Sequence, residues 1–284
     1  MGEEGFTADS SLLYHVHPPT AILGAEPVPD ATPCFSDNHP LLPRHFRTGR
    51  LDAGGDLVTG RRTLIGNDDL RLSHAAATDA SGLYRNAGGD EMVYIESGAA
   101  DLESVFGVVR AAPGDYVVIP ACTTHRWVPT SADPVRALIV EAAGHIRPPS
   151  RYLSTTGQFL EHAPFSERDL RGPSFSVPAS TGEASVLVRH RAGLTRYTYL
   201  HHPFDVVGWD GCLYPYAFSI YDFEPLVKRF HAPPPVHQTF EGPNFVVCSF
   251  CPGRSTSIPT RWPCRITTPT STPTRSSSMS GAIS

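Results

Sequence analysis

The chain has 284 residues, 40% hydrophobic and 18% charged, with a formal net charge of −5 and a pI near 6.2. That length admits one large domain or two ordinary ones, and the composition excludes a highly charged disordered chain or a coiled coil. No apolar run approaches the roughly 20 residues of a membrane helix, and the acidic balance gives no global electrostatic case for nucleic acid or an anionic membrane.

The start, MGEEGFTADSS, is acidic and lacks the apolar core of a signal peptide. Phe6 stands where a myristoylation signal needs Ser or Thr. Six scattered cysteines do not make a disulfide framework, so a reducing cytoplasm is the expected location. Residues 9–50 read as loops and isolated strands, with a His15-Val16-His17 pair too weak alone to mark a metal site.

From Leu57 onward, short runs rich in Val, Ile, Tyr and Leu alternate with Gly, Pro, Asn and Asp. They predict strands at Leu57–Val58, Arg62–Ile65, Met92–Ile95, Leu102–Val109, Tyr116–Ile119, Ala137–Glu141, Ser185–Arg191 and Tyr197–Leu200. A few short helices are expected, such as Ser166–Arg171, with Glu167 and Asp169 near its start. With 24 Gly and 28 Pro as punctuation, the pattern predicts an all-β sandwich or barrel.

Two spacings in this region resemble the signature of cupins, small jelly-roll barrels that hold a metal on inward-facing side chains. Glu91 is followed by six residues and Gly98; Gly114 is followed by five residues and Pro120, then Cys122 and His125. The two histidines that should precede Glu91 are replaced by Tyr84 and Asn86, poor ligands for a divalent transition metal. The resemblance therefore implies the barrel and argues against metal in it. Glu91 and His125 read as structural remnants, with a small-molecule site as the other reading.

Further along, Trp209, Tyr214, Tyr216 and Phe218 look like a stacking cluster but fit core or interface aromatics better. His201 and His202 precede Pro203 and read as a surface turn, and Cys248-x-x-Cys251 lacks the second pair that zinc would need. A further strand is expected at Phe245–Phe250.

Longer strings are more specific. EGFTADSSLLYHVHPPTAI (4–22), HPFDVVGWDGCLYPYAFSIYDFEP (202–225) and RFHAPPPVHQTFEGPNFVVCSF (229–250) closely resemble homogentisate 1,2-dioxygenases of bacterial type over about residues 3–252. The resemblance implies an enzyme of tyrosine and phenylalanine catabolism, a homo-oligomer if complete. Such an enzyme uses Fe(II) on two His and one Glu and dioxygen to open homogentisate to maleylacetoacetate. It implies an all-β, cupin-like chain with a nearly complete N-terminal part (1–225) and the start of a C-terminal catalytic part (226–252). His231 falls at the family's acid/base histidine.

The implied iron ligands lie further on, yet no His follows His237 and no Glu follows Glu241. As written, this chain is expected to hold no metal, no catalytic iron, and to be inactive. Residues 253–284 change character: 23 of these 32 are Ser, Thr, Pro or Arg. Such a tail is expected to be disordered. Reading the third base of each codon with the first two of the next permits a string containing P-Y-H-H…E, the stretch the family places at its iron. Inserting one C after Pro252 restores that frame, so a truncating frameshift is the expectation. The alternative is a metal-free cupin-like module that binds a small molecule or serves a structural role.

Overall fold

The computed structural model describes residues 1–5, 8–29, 35–36, 38–40, 42–174, 180–224 and 237–251. In chain order the strands are β1 (Ser11–His15), β2 (Ile22–Val28), β3 (Arg62–Gly66), β4 (Leu70–Ala77), β5 (Leu83–Asn86) and β6 (Glu91–Ser97). Next come β7 (Ala100–Ser104), β8 (Gly107–Ala111), β9 (Asp115–Ile119), β10 (His125–Pro129), β11 (Val135–Ala142) and β12 (Leu170–Arg171). The last six are β13 (Ala184–His190), β14 (Gly193–Tyr199), β15 (Val206–Gly211), β16 (Tyr216–Ser219), β17 (Gln238–Gly242) and β18 (Phe245–Cys248).

Two seven-stranded sheets dominate, ordered β2-β14-β13-β5-β10-β7-β8 and β12-β16-β9-β6-β11-β4-β3. All their pairings are antiparallel except β13 with β5. The sheets face each other over a core of Val93, Ile95, Leu102, Val117, Ile139 and Trp127. This is the all-β, cupin-type sandwich that the sequence implies. Among the described residues no helix is long and apolar enough to cross a membrane.

The second sheet is covered on its outer face too. Met92, Tyr116, Val118 and Val140 point away from the sandwich core and meet Phe165, Phe218, Phe240, Phe245 and Val247. Burial on both faces explains why β9 reads DYVVI and β11 reads VRALIVEA rather than strictly alternating. The expected strand at Phe245–Phe250 forms as β18, and its hairpin with β17 supplies part of this outer layer.

Two expected strands are corrected. Leu57–Val58 is a turn: Asp56 Oδ1 accepts the Val58 and Thr59 amides at 2.7 and 2.9 Å, so Leu57 enters the core from a loop. Leu102–Val109 is a hairpin of β7 and β8, because Gly107 takes φ +124° and reverses the chain. The helical turn expected at Ser166–Arg171 appears as a 3-10 turn, Glu167–Asp169, closed by a capping box between Ser166 and Asp169.

Gly98, in the spacing that signalled the barrel, has φ +74°, and a Cβ there would lie 2.7 Å from the Pro134 carbonyl oxygen. Gly98→Ala is expected to cost about 1–3 kcal/mol through left-handed backbone strain and that contact. Denaturant unfolding of the variant checks it.

Candidate functional site

The fold brings Glu91, Tyr84, Asn86 and His125 together between the two sheets. Glu91 opens β6, opposite Ile119 on one side and Glu141 on the other. Tyr84 and His125 are direct partners across β5 and β10 in the facing sheet. All four side chains are buried.

The group that fills the centre was not legible in the sequence. Arg61, just before β3, reaches Glu91 with both guanidinium arms: Nη1 donates to Oε1 at 2.9 Å and Nη2 to Oε2 at 2.8 Å. Oε1 also accepts from the Tyr84 hydroxyl at 3.0 Å and from Asn86 Nδ2 at 3.0 Å. Arg61 Nη1 lies 3.4 Å from Glu141 Oε1, and Arg189 Nε is also 3.4 Å from that oxygen. Two carboxylates on adjacent strands thus share one guanidinium, which offsets the repulsion that directly opposed like charges impose.

Burial alone would raise the Glu91 carboxyl, but the Arg61 guanidinium outweighs it and pulls the pKa down to about 2. Burial, and then the Glu91 charge, push the Tyr84 phenol well up, so it stays a neutral donor. Burial lowers His125, so it stays neutral. Its Nδ1 lies 3.0 Å from the Thr123 carbonyl, which can only accept, so Nδ1 carries the proton. Nε2 is then a buried lone pair with no hydrogen-bond partner among the described residues.

These residues do not fit iron. A ferrous centre of the two-His, one-carboxylate kind needs three free donor atoms on one face. Here both Glu91 oxygens are engaged by a guanidinium, Tyr84 and Asn86 donate hydrogen bonds to it, and only His125 Nε2 is free. The positive charge that a metal brings to such a glutamate comes instead from Arg61.

A pH dependence follows. The Glu91 carboxyl is lower when folded than its ordinary 4.5, so the stability it lends is fully present above 4.5. It is lost as pH falls from 4.5 toward 2. Glu91→Gln is expected to flatten the acid limb of an unfolding-midpoint profile in that window.

The other sequence candidates fall elsewhere. His231 lies outside the described residues, as do residues 253–284 with the expected disorder and frame change. His15 and His17 both turn Nδ1 to Asp205, at 2.6 and 3.1 Å. His17 stacks on His201 with ring centroids 4.0 Å apart. The four aromatics split, Trp209 and Tyr214 packing on the first sheet's outer layer and Tyr216 and Phe218 on the second's. Cys248 is buried, and Cys251 Sγ donates to the Ile220 carbonyl at 3.4 Å. A group that the motifs did not mark, Glu3, Asp90 and His145, brings one ligand atom from each within 4.8 Å of the others.

A model of the Cupin domain family matches residues 74–141, β4 through β11 with their connections. "Putative dioxygenase SSO1533" of Saccharolobus solfataricus is 36% identical over 256 residues, covering 89% of this chain and 65% of that protein. A homogentisate 1,2-dioxygenase of Emericella nidulans is 26% identical over 207 residues, covering 68% of this chain and 45% of its own length. The chain thus spans about two thirds or less of these relatives. Among solved structures, a cupin-2 domain containing protein of Shewanella frigidimarina is 17% identical, with a TM-score of 0.26, covering 29% of this chain and 78% of its own.

Proposed function

We propose that the chain is a relative of cupin-type dioxygenases that open the ring of homogentisate with dioxygen, and that the barrel around Glu91 is its structural, metal-free part. The observation that carries the second half is the Arg61 clamp on Glu91, which occupies the donor atoms that a metal would use. Similarity to "Putative dioxygenase SSO1533" over 89% of the chain, and to homogentisate 1,2-dioxygenases over 68% and 50% of it, supports the first half. On this reading residues 1–225 form the N-terminal part, residues 226–252 begin the catalytic part, and His231 handles the phenolic proton. Homo-oligomer formation belongs to the same reading.

The barrel's own residues then do positional work. Arg61, Tyr84 and Asn86 hold one ionised carboxylate away from water and lock the two sheets in register. They move no proton at neutral pH, because Glu91 stays ionised, Tyr84 stays protonated and His125 stays neutral. The alternative, a metal-free small-molecule module, draws on the buried His125 Nε2 lone pair, an acceptor that a ligand hydroxyl could meet.

The test compares two versions of the chain, as written and with one C restored after Pro252. Each is loaded anaerobically with Fe(II) and assayed for oxygen uptake with homogentisate. The expected result is uptake by the restored version and none by the written one. Absence of uptake by both would remove the homogentisate assignment.

A further inference from the structure

Glu3, Asp90 and His145 come from the N-terminal segment, the residue before β6 and the loop after β11. Glu3 Oε1 lies 3.7 Å and Asp90 Oδ1 3.3 Å from His145 Nδ1. Ligand atoms bound about 2.1 Å from one ion sit about 3.0–3.5 Å from each other in octahedral or tetrahedral sites, so these separations need little contraction. Asp90 is buried and already aimed: Oδ1 accepts the Ala121 amide at 2.7 Å and Oδ2 the Ile146 amide at 2.8 Å. Each carboxylate oxygen keeps a second lone pair, so these bonds orient Asp90 without saturating it.

A second observation is independent of the cluster. The Tyr216 hydroxyl is buried without a hydrogen-bond partner among the described residues. After burial itself, the charge of Asp90 acts on it most strongly, with that of Glu3 also felt. A buried hydroxyl donor needs an acceptor. The cluster is reached from outside through a groove of about 530 Å³, lined by Glu3, His145, Arg147 and Glu241 among others.

We propose that Glu3, Asp90 and His145 bind a divalent first-row cation, with water from the groove completing its shell and one such water accepting from the Tyr216 hydroxyl. Two carboxylates and one imidazole suit Mn²⁺, Fe²⁺ or Zn²⁺ rather than a thiophilic ion. The site does not depend on the dioxygenase reading. Without a cation the three side chains form an ion-paired group, the hydrogen bond to Asp90 raising His145.

The test uses Mn²⁺ and the whole chain. Calorimetric titration is expected to give one Mn²⁺ per chain, with an imidazole nitrogen coupling in its electron spin echo spectrum. Glu3→Gln and His145→Gln should each weaken binding about tenfold or more, and the second should abolish the nitrogen coupling. Both positions are partly exposed, and cation-free melting is expected to show both variants still folded, the second with a lower midpoint through loss of the pairing to Asp90. If either variant fails to fold, the coupling in the parent decides: its absence removes His145 as a ligand. No Mn²⁺ uptake, or unchanged affinity in both variants, overturns the proposal; the latter places the ion elsewhere, as at His15 and His17.

Discussion

Arg61→Met will destabilise the protein by about 3–5 kcal/mol, the range for stripping the partner from a buried ion pair. Glu91 is buried and the Arg61 side chain only 9% exposed, and Glu91 would retain the Tyr84 and Asn86 hydrogen bonds against its charge. Glu141 would lose one of its cationic neighbours and keep Arg189 at 3.4 Å. The second substitution should relieve much of this. In Arg61→Met with Glu91→Gln the uncompensated charge is gone, and polar groups of similar shape remain. Chemical unfolding of the parent, both single variants and the double variant gives the coupling directly. A double variant no more stable than Arg61→Met alone would mean that packing of the arginine stem, not charge, is what matters.

Asp90→Ala is expected to cost about 2–6 kcal/mol. Its two oxygens receive the Ala121 and Ile146 amides, which tie the β9–β10 connection and the loop after β11 to the start of β6. Each amide left buried and unpaired costs about 1–3 kcal/mol. Asp90→Asn keeps one accepting oxygen and should lose about half as much. Thermal or denaturant unfolding of both variants checks the order; equal losses would show that charge, not the amide bonds, is what Asp90 contributes.

Fold class was legible because it depends on features that the chain repeats: short β-branched runs, frequent Gly and Pro, and the fixed spacings from Glu91 to Gly98 and from Gly114 to His125. Those spacings work because they mark turns whose glycines take positive φ, at Gly98 and Gly114. What failed was local. Val105 and Phe106 continue an apolar run through a tight turn, so the β7–β8 hairpin read as one strand. Leu57 is apolar because a loop inserts it into the core, not because it lies in a strand.

The site was half legible. Spacing located Glu91 and His125 and showed that Tyr84 and Asn86 replace histidines. It did not show what balances Glu91, because nothing in local pattern distinguishes Arg61 from the chain's other arginines. A buried glutamate among poor ligands does require some cation, and that requirement was the signal available. Glu3, Asp90 and His145 were missed for a related reason: they are far apart in sequence, and Asp90 stood in the shadow of its neighbour Glu91.

The central claim is that a guanidinium takes the place of a metal at Glu91. Crystals soaked anaerobically in Fe(II) and measured at the iron edge test it most directly. The account predicts no anomalous peak between Glu91 and His125, with Arg61 still bidentate on the carboxylate. A peak within about 2.0–2.2 Å of Glu91 oxygen and His125 Nε2, with Arg61 displaced, would contradict it.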